Sequence, residues 1–150
     1  VKHVRRLSRD QIGEAIFGIE DGVVSILGVE IGFLSSGGHT HLLAIVLGLA
    51  VAATVSMAGG QYLGDDKKRL GLALVMGLST LIGTVIPAVP IILFGTGWLG
   101  VTAMIGVVMA TGASIAAIRP GGIRSWLETF GILGIASLAA ILVPLFTGAA

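Results

Sequence analysis

The sequence has no cysteine, which excludes a disulfide framework, a thiolate metal site and any clue to redox compartment. Charge is scarce as well, at 11% of residues. Its few basic residues form no single patch of the kind nucleic acid needs. Aromatic residues make up 5%, and Trp98, Trp126 and Tyr62 fall near the ends of apolar runs, where membrane-interface belts sit. The aromatic walls that would hold a bulky organic cation are therefore missing. No Ser/His pairing lies within the apolar runs, and no glycine-rich loop carries a lysine for phosphate. A second buried aspartate, needed for an intramembrane aspartyl protease, is also lacking. An enzyme is not expected. The basic start leads into acidic residues rather than a clean apolar stretch, so no cleavable signal peptide is expected. The start at Val1 rather than Met leaves open that the chain is a piece of a longer protein.

Hydrophobic residues, by contrast, make up 55% of the chain, and the mean hydropathy is +1.02. Five apolar segments, 13–34, 42–63, 70–94, 98–118 and 125–147, each approach the ~20 residues that a spanning helix requires. The breaks between them are short, so consecutive helices should be antiparallel neighbours. The expectation is one all-α integral membrane domain over 1–150 with five transmembrane helices. Twenty-four glycines suit close-packed membrane helices. All nine Lys and Arg residues precede the first span or lie in the second and fourth breaks. The positive-inside rule then places the N-terminus in the cytoplasm and the C-terminus outside.

The first segment breaks the apolar pattern. Phe17 to Gly32 reads F-G-I-E-D-G-V-V-S-I-L-G-V-E-I-G. A carboxylate near the centre of a bilayer costs roughly 2.5–3.5 kcal/mol even on the lenient scale, and so marks a functional site by default. On a helical wheel Glu14, Gly18, Asp21, Ser25, Gly28 and Gly32 fall within about 40° of one line. Gly18, Gly28 and Gly32 on that stripe would let another helix come close. Glu20 and Glu30 lie off it. Glu20 either joins the site or faces a wet vestibule; Glu30 is expected to snorkel at the outer mouth, with an exit ligand as the alternative.

In the second segment Gly48, Ala52, Ser56, Gly60 and Gly64 form a ladder of small residues, and Met57 and Gln61 share a face beside it. Carboxylate, amide and thioether together suit a first-row divalent ion better than Mg²⁺ or Ca²⁺. In the third, Pro87 and Pro90 should bend or end the helix. His39 and His41 lack a third partner and make a poor metal pair. Asp65, Asp66 and Lys67–Arg69 read as a solvated turn, and Arg124 with Glu128 as an ion pair at headgroup level.

F-G-I-E-D-G-V-V-S-I-L-G, S-M-A-G-G-Q-Y-L and G-T-V-I-P-A-V-P occur in the first, second and third segments. In order and spacing, and in the five-span layout, they resemble the vacuolar iron transporter family over essentially the whole chain. The resemblance implies a homodimer whose first spans meet. It also implies export of Fe²⁺, often also Mn²⁺, from the cytosol in exchange for protons, with no bound cofactor. Asp21 and Met57 would line the path from both copies, with Gln61, Glu14 and Glu20 beside them.

The chain departs from the family in two ways. The metal-collecting helical domain that plant-type members place between the second and third spans is reduced here to Gly64–Arg69. Some bacterial relatives carry a ferritin-like domain ahead of the first span instead. Gln61 also stands where the family usually has Glu. An amide can lend an oxygen to a cation but cannot carry a proton, so coupling would fall to Asp21, Glu14 or Glu20. The rival expectation is a dimeric anchor for a soluble domain, without transport. The membrane would be a cell inner membrane or that of a vesicle or vacuole.

Overall fold

The apolar segments become five helices: α1 (Arg9–Ser35), α2 (Leu42–Gly64), α3 (Leu70–Phe94), α4 (Trp98–Ile118) and α5 (Ile123–Thr147). The structure, a computed structural model, describes residues 8–35 and 41–147, and its regular structure there is entirely α-helical. Helices α2 to α5 are long and apolar enough to cross a membrane. Helix α1 has the length, but it carries Glu14, Glu20, Asp21 and Glu30.

Helix α1 starts four residues before the expected span. Ser8 Oγ accepts the Gln11 N–H at 3.2 Å, while Gln11 Oε1 accepts the Ser8 N–H at 2.9 Å. This reciprocal cap satisfies donors that a helix start otherwise leaves open. Of the two outcomes expected at the prolines of α3, the helix does not end there. The helix runs through Pro87 and Pro90 to Phe94 and ends at Gly95, whose φ of 73° is open to glycine at little cost. Pro87, Ala88, Pro90 and Ile91 are all buried, so packing holds the turns that lose an N–H.

Helix α3 is the hub, packed against α1, α2 and α4, and α5 closes the bundle against α1 and α4. The α1–α3 contact is the most extensive. It is a parallel crossing built on small residues. A Cβ added to Gly18 would strike Ser79 Oγ, one on Gly22 the Thr80 carbonyl oxygen, and one on Gly83 the backbone of Ile19. Gly18 and Gly22 thus form a small-xxx-small face against Ser79, Thr80, Gly83 and Thr84, where backbones can touch. The Thr80 and Thr84 hydroxyls are fully buried and donate to the Met76 and Thr80 carbonyls, at 3.0 and 2.8 Å. Ser79 Oγ also bonds within α3, to the Val75 and Met76 carbonyls at 2.7 and 2.9 Å, and lies 3.5 Å from the Glu14 carbonyl oxygen of α1. Beyond it, Val23, Leu27, Ile91, Met104, Val108 and Leu133 make the main apolar core, and Ile26, Val46 and Ala88 a second.

The basic turns gather at one end of the bundle. Arg69 bonds Asp65 at 2.9 Å and Asp10 at 3.0 Å, tying the α2–α3 turn to the start of α1. Hydrogen bonds from the Arg69 side chain, and then from the Arg69 and Lys67 N–H groups, lower the Asp65 carboxyl to about 2. The expected ion pair of Arg124 with Glu128 is present at 2.7 Å. Lys2, Arg5, Arg6 and His39 fall outside the described residues, while His41 is the exposed N-cap of α2.

Candidate functional site

The acids of α1 leave the helix in different directions: Glu14 and Asp21, seven apart, share a line, while Glu20 stands well round the helix from both and Glu30, nine past Asp21, points to the opposite side. Glu14 turns toward α2, where its Oε1 accepts the Gln61 amide N–H at 2.8 Å. Two residues expected in the site are therefore brought together. They line an open depression of about 760 Å³ with Asp10, Phe17, Arg69 and Met76. Met76 is a thioether that sequence reasoning missed; its place on the α1-facing side of α3 becomes legible only once those helices are known to touch. Met57, expected to supply the sulfur, is half-buried on α2 and is not among the residues lining the cavity beside Asp21.

Glu20 faces the opposite side of the bundle end. One carboxylate oxygen stands 3.9 Å from Arg119 Nη1, and the other is buried without a hydrogen-bond partner. Arg119 also bonds Glu128 at 3.0 Å and Thr129 Oγ1 at 3.3 Å. Glu20, Arg119, Glu128 and Arg124 thus form a chain of alternating charge linking α1 to α5. Glu20 is therefore a member of this ion-pair chain. Removing the arginine would leave Glu20 half-desolvated and unpaired. Arg119→Ala is expected to destabilise the bundle by about 1–3 kcal/mol, seen as a lower thermal midpoint in detergent. Adding Glu20→Gln should recover most of that loss.

Asp21 lies beside Glu20 in a smaller cavity of about 320 Å³, lined by Phe17, Glu20, Asp21, Val24, Arg119 and Ile132. Among the described residues none donates a hydrogen bond to its carboxylate. The rest of its stripe divides in two. Gly18 is buried against α3 of the same chain, so the contact expected there between two copies is instead made within one. Gly28 and Gly32 have nothing within 4 Å of where a Cβ would stand, and Ser25 is half-buried. Asp21, Ser25, Gly28 and Gly32 thus lie on a half-buried face of α1 that leaves open space beside its glycines.

Glu30 departs furthest from expectation. It does not snorkel: it is 1% exposed, and among the described residues neither carboxylate oxygen has a hydrogen-bond partner. Its face of α1 turns inward between the two apolar cores, and the side chain goes with it.

No group of three or more His, Asp or Glu side chains converges to hold a metal ion among the described residues. One copy of the chain therefore offers carboxylates separately, as a pair with an amide at Glu14–Gln61 and singly at Asp21. No family model matches the sequence, and neither the curated proteins nor the solved structures contain a similar one.

Proposed function

We propose that this protein exports Fe²⁺ or Mn²⁺ across a membrane in exchange for protons, working as a homodimer of five-span chains with α1 as the fifth span. The observation that carries the reading is one half-buried face of α1, on which Asp21, with no hydrogen-bond donor among the described residues, shares a line with Gly28 and Gly32, each with open space where a Cβ would stand. A carboxylate in lipid is costly, and glycines on the same face invite a close helix. A second copy related by a two-fold axis would set Asp21 against Asp21. That arrangement gives the two hard ligands that one chain does not assemble.

The depression holding Glu14, Gln61 and Met76 lies at the basic end, which the positive-inside rule assigns to the cytoplasm. Its oxygens and thioether suit a first-row ion and would collect it before it moves to the paired aspartates. Protonation of those carboxylates from the far side would weaken the site and release the ion. The resemblance of F-G-I-E-D-G-V-V-S-I-L-G and S-M-A-G-G-Q-Y-L to the vacuolar iron transporter family supports the same cargo.

Purified protein in liposomes should carry Fe²⁺ or Mn²⁺ faster when a pH gradient is imposed than when it is collapsed. A dimer that binds lipid and partner but carries neither ion under either condition would return the reading to a membrane anchor. The pairing of Glu20 with Arg119 is the observation that favours that alternative, since it withdraws one acid from any path.

A further inference from the structure

The strongest unexplained feature of the molecule is Glu30. An ionised carboxylate buried without a partner is among the most costly arrangements in a protein interior, and such a group neutralises instead. Glu30 has no partner for either oxygen among the described residues. One turn before it, Ile26 packs with Val46 of α2 and Ala88 of α3; one turn after it, Leu34 packs on the core that holds Ile91. None of the cavities described above reaches it. Nor does any charged side chain face it from the helices around it. Within α2 the only titratable residue is Tyr62, near the far end; α3 and α4 contain none; and Arg124 and Glu128 of α5 belong to the basic end. Helix α1's other acids lie nine or more residues back, and His41, the nearest described titratable residue at this end, is exposed. A metal ion would find one carboxylate and no second ligand here. A proton needs only one.

We propose that Glu30 is a proton-binding site, a carboxylic acid stored in the dry seam between α1, α2 and α3. It gives its proton to water when that seam opens and takes one back when the seam closes. The O–H bond breaks as water enters at the end of the bundle opposite the basic turns, and the proton leaves as hydronium. The ionised carboxylate then opposes reclosure until it is protonated again. The link to metal exchange rests on the export reading, in which Glu30 supplies the proton-carrying group that Gln61 cannot be. The stored proton and its coupling to opening do not rest on it.

Two measurements without metal test the site. Infrared difference spectra of wild type against Glu30→Gln in membranes at neutral pH should show the C=O stretch of an unbonded carboxylic acid, lost entirely in the variant. Gln matches the neutral acid in shape, so the variant should fold; Glu30→Met gives the same spectral comparison should it not. Loss of carboxylate bands with no acid C=O band would overturn the proposal. In the second measurement, Val46→Cys places the only thiol in this cysteine-free chain within the seam. Its labelling by a water-soluble maleimide should rise with pH beyond the reagent's own pH dependence, and Glu30→Gln should remove that excess. An unchanged excess in the variant would overturn the coupling to opening. A protein that passes both tests but carries no metal would refute the export reading and leave the proton site standing.

Discussion

Asp21→Asn is expected to lower gradient-driven Fe²⁺ flux into liposomes by about ten- to a hundredfold, the equivalent of the roughly 1.5–3 kcal/mol that a charge-assisted contact contributes. The substitution keeps the shape of the side chain and removes its charge. Because Asp21 makes no hydrogen bond within the described chain, the fold should not notice the change, and dimer yield and thermal midpoint should stay at wild-type values. The same substitution in a dimer contributes twice, once from each copy, which places the effect toward the upper end of the range. Flux at the wild-type rate in Asp21→Asn would remove the carboxylate from the path and end the mechanism proposed above.

Gly22→Leu should have the largest effect on the fold itself. A Cβ at Gly22 already meets backbone atoms of Thr80, Gly83 and Thr84, and backbone cannot rotate aside as a side chain can. The cost is expected to reach or exceed the roughly 3 kcal/mol upper range for overpacking, enough to separate α1 from α3 and leave little folded protein. Gly28→Leu is the control, since among the described residues nothing lies within 4 Å of where a Cβ at Gly28 would stand. That variant should keep its monomer fold and lose dimer. Size-exclusion profiles after graded heating separate the two outcomes. Equal damage from both substitutions would mean that Gly28, too, packs within one chain.

These two glycines also mark how far the sequence could be read. The helix bodies were legible because bilayer thickness sets both length and composition of a span, and α3 and α4 fall where hydropathy puts them. The early start of α1 was missed: Ser8 and Gln11 stand at capping-box spacing, but the charged residues around them mask the helix from hydropathy. The wheel grouped Gly18 with Asp21 correctly as neighbours on one helix. It could not say that Gly18, at the edge of the stripe nearest Gly22, would be taken up by α3. That choice depends on which helix lies alongside, and amphipathicity carries little such information when every face is apolar. Glu20 was ambiguous for the same reason, since Arg119 is ninety-nine residues away in sequence and 3.9 Å away in space. Glu30 was misread because a carboxylate near a helix end ordinarily reaches water, and burial of its face depends on α2 and α3 together.

The parallel pairing of α1 with α3 has a consequence for how the protein is made. Chains emerge from the ribosome N-terminus first, so on the five-span reading α1 would enter the bilayer well before the backbone of α3 that fits its glycines exists. During that interval its acids have neither the close-packed seam nor a second copy to shelter them, and α2 offers mainly lipid-facing surface. The translocon, or the interfacial region of the membrane, must hold α1 until α3 arrives. The slow step of biogenesis is therefore expected at the docking of the third helix onto the first, and α4 and α5 then close over a pair already formed.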